Sequence, residues 1–123
     1  MRVIIAGSRD FYDYEKLKNT VDGYLQNVDS LTPVIISGTA RGADRLGEKY
    51  AIEHSYEVRR FPANWDKYGK SAGYIRNREM AQYAIANESV GVLISFWDGK
   101  SRGTKYMIEL AKEYGLRVIV VNF

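Results

Sequence analysis

Five short strand-like runs, most of them rich in β-branched residues, alternate along this chain with longer amphipathic stretches. The strand-like runs lie at residues 3–6, 34–36, 56–58, 90–96 and 118–121. Near-continuous apolar runs of strand length, without strict alternation, are typical of parallel strands that helices cover on both faces. The pattern therefore constrains the fold to the α/β class.

The stretches between these runs carry apolar residues at helical spacing and predict four helices. The helices are expected over about 14–28, 43–54, 75–86 and 104–114. This order predicts a Rossmann-like, doubly wound open sheet, mostly parallel, of about five strands with helices on both faces. The length suits one hydrophobic core, so we expect a single domain over residues 1–123. Residues 62–73 fit neither pattern and are predicted to form an aromatic, basic loop.

Composition narrows the chemistry. The chain has no cysteine and one histidine, which excludes disulfides and thiolate nucleophiles and argues against a metal site of its own. No apolar run is longer than a strand and no secretory signal is apparent, so we expect a cytoplasmic protein without membrane contact. Residues 41–105 carry twelve Lys and Arg against eight Asp and Glu. That excess suits an anionic ligand, although a solvated surface of mixed charge would have the same composition.

Three loops that follow predicted strands carry the candidate binding residues, because ligands of open α/β sheets bind beyond the carboxyl ends of strands. The first is Gly7-Ser8-Arg9-Asp10-Phe11, in which glycine permits close backbone approach and Arg9 could pair with a phosphate. The second runs from Gly38 through Thr39, Arg41 and Gly42 to Asp44, at a strand-to-helix junction. Exposed backbone N–H groups at such a junction can hold a phosphate without a lysine.

The third loop, residues 97–104, offers Gly99 and Gly103 with two hydroxyls as a second phosphate cradle. Trp97 at its start could stack on a base or simply pack. Asp44 in the second loop could likewise contact a ligand, or it could only interact favourably with the positive end of the helix dipole. Neither loop matches the dinucleotide fingerprint Gly-x-Gly-x-x-Gly or the Walker A motif.

Together these motifs resemble the SLOG superfamily, specifically its YspA/YpsA-related branch. The resemblance rests on GSRDF at 7–11, GTARGAD at 38–44, KYGKSAGYIRNREMA at 67–81 and WDGKSRGT at 97–104. It implies a Rossmann-like domain that binds a nucleotide or a nucleotide-derived signal, or single-stranded DNA as in the DprA branch. The superfamily also contains the Lonely-Guy phosphoribohydrolases, which cleave the base from a nucleoside monophosphate.

The hydrolase signature is only partly present. The resemblance matches the hydrolases' helix arginine to Arg78 and their glycine-threonine loop to Gly103 and Thr104, but Met107 stands where their catalytic glutamate should be. An enzyme would then need Asp98 or Glu109 as its acid, and Glu109 lies about 200° around the helix from Met107. Arg76 and Arg78 point to different helix faces, so we expect one of them in the site and choose Arg78 with its neighbour Asn77.

The sequence thus predicts binding of a nucleotide or nucleotide-derived ligand. The predicted ligand-binding residues are Gly7, Ser8, Arg9, Gly38, Thr39, Arg41, Gly42, Asp44, Asn77, Arg78, Trp97, Gly99, Gly103 and Thr104. Tyr74 is an alternative stacking residue. No resident cofactor is expected, although Asp10, Asp44 or Asp98 could bind Mg²⁺ together with ligand phosphates.

Three alternatives stay open: an N-glycosidic hydrolase, a single-stranded nucleic-acid module that uses residues 65–70, and a scaffold with a vestigial site. We also expect a homo-oligomer, most simply a two-fold dimer. The third predicted helix and its preceding loop carry more apolar and aromatic residues than the one helix face that packs on the sheet can bury. Those residues are Trp65, Tyr68, Tyr74, Ile75, Met80, Tyr83, Ala84 and Ile85.

Overall fold

The computed structural model describes residues 1–28 and 32–123 and contains one five-stranded sheet. The strands are β1 (Arg2–Gly7), β2 (Val34–Ser37), β3 (Glu57–Arg60), β4 (Gly91–Trp97) and β5 (Arg117–Asn122). They are ordered β3-β2-β1-β4-β5, and every neighbouring pair is parallel. The predicted α/β Rossmann-like fold is confirmed, and the sheet is wholly rather than mostly parallel.

In the described part of the chain, five α-helices connect the strands. They are α1 (Tyr14–Gln26), α2 (Ala43–Glu53), α3 (Trp65–Tyr68), α4 (Ala72–Ile85) and α5 (Arg102–Glu113). The prediction that residues 62–73 form a loop is wrong, because this segment contains α3, a 3₁₀ turn at 69–71 and the start of α4. The side chain of Asn64 caps α3 by accepting the Lys67 N–H. Asparagine is a favoured N-cap residue, so Asn64 is a local sequence signal for this short helix.

The sheet has a hydrophobic core on each face. Alternate residues of the central strands, such as Val3 and Ile5, pack under α1 and α2, whereas Ile4 and Leu93 pack under α4 and α5. All four of these side chains are fully buried. Strands buried on both sides account for the near-continuous apolar runs in the sequence.

This topology places a switch point between β1 and β4. The connections after β1 and β2 run over one face of the sheet, and those after β3 and β4 run over the other. The loops at the carboxyl ends of β1 and β4 therefore diverge and leave a crevice, which is where open α/β sheets bind ligands. Within residues 1–28 and 32–123, no helix is long and apolar enough to cross a membrane.

Candidate functional site

A cavity of about 550 Å³ lies at this switch point. Its lining residues come from the loops after β1, β2 and β4, from α3 and α4, and from the N-terminal half of α5. A smaller cavity of about 280 Å³ adjoins it on the side of the β2 loop. The volume of the larger cavity is within the range of small-molecule sites.

The three predicted loops meet at these cavities. The larger cavity is lined by eight of the predicted residues, namely Gly7, Ser8, Arg9, Arg41, Asp44, Asn77, Gly103 and Thr104. Gly38 and Thr39 line the smaller cavity. Gly42, Arg78, Trp97 and Gly99 line neither.

Of the two arginines of α4, the structure places Arg76, and not the predicted Arg78, at the cavities. Arg76 is half-buried and lines both cavities, where its Nη1 donates to the Gly38 carbonyl oxygen at 2.5 Å and its Nε donates to Asn77 Oδ1 at 2.9 Å. Arg78 is exposed and lies outside both cavities. The spacing does not separate the two, because Arg76 lies four residues before the buried Met80 and Arg78 lies three residues before the buried Ala81.

Arg9 and Arg41 join Arg76 to form what we call the arginine trio. Among the described residues, none of the three has a carboxylate oxygen within 4 Å, whereas Arg60 does pair with Glu48. Burial lowers the pKa of Arg76, the charge of Asp44 opposes this, and the charge of Arg9 adds to it. The trio therefore presents positive charge that the surrounding protein leaves without a direct partner.

Asp44 is the buried acid of the larger cavity. Its Oδ2 accepts the Ala40 N–H at 3.2 Å, and the residue is only 5% exposed. Burial raises the pKa of this carboxyl to about 6, while the charge of Arg76 and the Ala40 N–H oppose the shift. A Cβ placed on Gly38 would come within 2.7 Å of Asp44 Oδ2 and 2.9 Å of Arg76 Nη1, so the glycine lets both groups approach one loop.

Gly42 lines neither cavity and has a structural role. It adopts φ +82° at the N-cap of α2, and a Cβ there would lie 2.5 Å from the Ser8 carbonyl oxygen. The Ala43 N–H donates to that same oxygen at 3.4 Å. The glycine thus joins the β1 loop to the start of α2.

The loop after β4 differs from the predicted phosphate cradle, because its own side chains take up backbone donors. Asp98 Oδ1 accepts the Lys100 and Ser101 N–H groups, each at 2.8 Å, and Ser101 Oγ caps α5 by accepting the Thr104 N–H. Trp97 donates its Nε1–H to the Ser101 carbonyl oxygen at 3.0 Å and packs against the core under α4 and α5. The stacking role considered for Trp97 therefore has no support in this geometry.

Two aromatic residues do line the larger cavity. Trp65 of α3 is 52% exposed, and Tyr74 of α4 is 48% exposed and contacts Tyr106 edge-on. Met80 and Met107, both nearly fully buried, form an apolar floor beside them. The sequence analysis named Tyr74 as an alternative stacking residue and considered Trp65 only for the nucleic-acid alternative and the dimer surface.

Of the four acids considered for catalysis or for magnesium, three lie at the larger cavity and one lies outside it. Asp10, Asp44 and Asp98 line the larger cavity, whereas Glu109 is exposed on α5 outside it. Met107, which the sequence resemblance matches to the catalytic glutamate of the hydrolases, lines the larger cavity. Across the described part of the chain, no group of three or more His, Cys, Asp or Glu residues could hold a metal ion.

Comparison with known proteins places the chain in a family. The YspA, cpYpsA-related SLOG family matches residues 1–68, and the chain belongs to that family. The chain is also 32% identical over 128 residues to the gene 61 protein of Mycobacterium phage D29, with 96% of this chain and 94% of that protein covered. No solved structure shows a significant match. The predicted membership of the YspA/YpsA-related SLOG branch is thereby confirmed.

Proposed function

We propose that the chain binds a nucleotide or a nucleotide-derived ligand in the cavity at the switch point of its sheet. Family membership supports a nucleotide-related ligand in general terms. The observation that carries the proposal is the asymmetry of the cavity lining: the arginine trio also lines the smaller cavity beside the β2 loop, whereas Tyr74, Met80 and Met107 line the larger cavity only.

This asymmetry matches the two chemical parts of a nucleotide. Phosphate oxygens are strong acceptors that guanidinium groups bind by charge-assisted hydrogen bonds. A base is a flat apolar ring with polar edges, and an aromatic side chain beside two methionines offers a surface for stacking. The buried Asn77 amide adjoins the same floor and could bond a base or ribose edge.

The testing experiment compares two substitutions on one helix. Arg76→Gln removes a charge that lines the cavity, and Arg78→Gln removes an exposed charge two residues away. Isothermal titration with nucleoside mono- and diphosphates of all four bases would first identify a binder. We expect Arg76→Gln to weaken its binding by about 1.5–3 kcal/mol, typical of a hydrogen bond to a charged group, and Arg78→Gln to leave it unchanged.

Equal affinity in both variants and the unmodified protein would contradict the proposed site. If Arg76→Gln does not fold, Arg9→Gln serves instead, because Arg9 is an exposed loop residue of the same trio. A short single-stranded oligonucleotide that binds more tightly than any nucleotide, with the same dependence on Arg76, would favour the nucleic-acid alternative. Titration with and without Mg²⁺ tests whether the carboxylates bind a metal together with the ligand.

The proposal of a homodimer has a narrower basis than the sequence suggested. Met80 and Ala84 are buried inside the protomer, and Tyr83 lies beneath the guanidinium groups of Arg2 and Arg59, with centroid distances of 4.0 and 4.9 Å. Trp65 and Tyr74 line the cavity. Dimer formation through this helix therefore stays a prediction that rests mainly on the exposed Tyr68 and Ile85.

A further inference from the structure

We infer that two copies of this chain join edge to edge through β5, with the two strands antiparallel, to form one continuous sheet across both copies. This interaction surface does not depend on a ligand and is separate from the proposed function. The two edges of the sheet differ in how they are protected against such pairing, and the main-chain groups of β5 define the register.

The two edge strands of the sheet are β3 and β5. An edge strand has N–H and C=O groups that can bond another chain, and natural proteins protect such edges with short strands and charged side chains. β3 has both protections, because three of its four residues are charged and one of these, Arg60, pairs with Glu48. β5 has six residues, of which residues 118–121 are consecutive β-branched apolar residues. The β5 edge therefore suits pairing, whereas the β3 edge opposes it.

The main-chain groups of alternate β5 residues point away from β4. Asn122 lies opposite Trp97 in the β4–β5 register, and the Phe123 N–H donates to the Trp97 carbonyl oxygen at 3.3 Å. Phe123 therefore faces β4. Because successive residues of a strand alternate in direction, Val118, Val120 and Asn122 direct their N–H and C=O groups outward.

A side-chain contact at one end of this edge agrees with that assignment. Lys16 Nζ donates to the Asn122 carbonyl oxygen at 3.3 Å, so this oxygen lies on the open side of β5. A carbonyl oxygen has two lone pairs and can also accept an N–H from another strand. The Lys16 contact is therefore compatible with pairing.

Two antiparallel copies of β5 match in a register centred on Val120. In an antiparallel pair, residues whose N–H and C=O groups face the neighbouring strand lie directly opposite each other. A two-fold axis at Val120 places Val120 opposite its own copy and Val118 opposite Asn122, so all three outward-facing residues of each copy are bonded. A shift of two residues in either direction would leave one of them without a counterpart.

The side chains in this register favour a second copy as the partner. Ile119 lies opposite Val121, and cross-strand pairs of this kind stabilise neighbouring strands. Arg117 is the one charged residue of β5 and lies opposite Phe123, so it does not meet a like charge. The strand is thus complementary to itself in hydrogen bonding, apolar contact and charge.

The first test compares lysine substitutions at two valines of similar exposure. Val120 is 37% exposed at the centre of the paired edge, and Val90 is 43% exposed just before β4. Val120→Lys would place two lysines directly opposite each other, which destabilises a strand pair. We expect the unmodified chain to sediment as a dimer at tens of micromolar. Val120→Lys should raise the dissociation constant of the dimer about tenfold or more, and Val90→Lys should leave it unchanged.

The second test measures the register. The chain has no cysteine, so a single introduced cysteine can form a disulfide only with its own copy. Directly opposite, hydrogen-bonded residues have Cα atoms about 5.5 Å apart, within the range that a disulfide spans. We expect Val120→Cys to form a disulfide-linked dimer under mild oxidation. Val118→Cys, whose two copies would lie about 14 Å apart along the strands, should remain largely unlinked.

Three results would overturn the inference. A chain that sediments as a monomer would leave the β5 edge to a strand of another protein. A dimer that Val120→Lys leaves intact would have its interface elsewhere, for example at Tyr68 and Ile85. Disulfide formation that is equal in Val120→Cys and Val118→Cys, or absent from both, would exclude the register. If Val120→Lys does not fold, the two cysteine variants decide alone, because they change little bulk.

Discussion

Two strand-to-helix junctions at the same sheet edge, residues 38–44 and 97–104, share glycines, hydroxyls and an aspartate but use them differently. In the β4 loop, Asp98 and Ser101 accept hydrogen bonds from backbone N–H groups of their own loop. The β2 loop instead has a glycine N-cap without a side-chain cap, and it is held by the carbonyl oxygen of Ser8 from the neighbouring loop.

The difference shows why a glycine-rich junction does not by itself define a phosphate site. A carboxylate that bonds backbone donors of its own loop leaves fewer of them for an incoming anion, and both loops have one: Asp98 accepts two such N–H groups and Asp44 accepts that of Ala40. The β2 loop is also held by a neighbouring loop, which brings other elements close, and here arginines from the loops after β1 and β2 and from α4 come together. The arginine trio therefore forms beside the β2 loop, although both loops look alike in sequence.

The largest expected difference concerns two glycines, Gly42 and Gly99, that both adopt φ +82°. A Cβ on Gly42 would meet the Ser8 carbonyl oxygen at 2.5 Å, whereas a Cβ on Gly99 would meet nothing within 4 Å. We expect Gly42→Ala to destabilise the fold by about 3 kcal/mol or more, through strain and overpacking together, and Gly99→Ala by about 1–2 kcal/mol through strain alone. Urea denaturation of both variants measures the loss in the free energy of unfolding. Equal losses would show that a Cβ is no more crowded at Gly42 than at Gly99.

The aspartates of the two loops should respond to pH in opposite directions. Burial raises the pKa of Asp44 from its ordinary 3.8 to about 6, so the folded state holds a proton that the unfolded chain releases. The resulting stability is present in full below about pH 4 and is lost as the pH rises through 6. At about 1.36 kcal/mol per pH unit, Asp44→Asn should gain about 3 kcal/mol relative to the unmodified protein between pH 4 and 7.

Denaturation midpoints and slopes for Asp44→Asn at several pH values in that window would check this expectation. A stability difference that stays constant with pH would mean that the Asp44 carboxyl is solvated in the folded protein. It would remove the contrast between the two loops at this position.

Asp98 should show the smaller and reversed effect. The Ser101 and Lys100 N–H groups lower its pKa, so the stability it contributes is present above its unfolded pKa and is lost as the pH falls through the folded one. Asp98→Asn should therefore be less stable than the unmodified protein at pH 7, and the difference should shrink in acid. Thermal denaturation at pH 7 and near pH 2.5 compares them, and a gap that widens in acid would contradict the assignment.

Local patterns predicted much of the fold and the position of the site. The apolar runs at 34–36 and 90–96 became β2 and β4, and loops 38–44 and 97–104 fell at the carboxyl edge as parallel strands require. Where two neighbours look equivalent, the pattern did not show which one lines the cavities. Arg76 and Arg78 differ only in which helix face packs inward, and α4 begins at Ala72, three residues earlier than its pattern suggested.

The amino-acid sequence by itself determined the α/β class, the family and the edge of the sheet that carries the candidate site. Buried strands and family motifs are short stretches of consecutive residues, so they can be recognised without knowing the tertiary contacts. Only the tertiary structure decided which groups are available there. Trp97 and Asp98 bond within their own loop, while Trp65 reaches the cavity from a short helix that its sequence barely signals. Availability depends on which donors and surfaces the rest of the molecule has already occupied, and that depends on contacts between residues far apart in the chain.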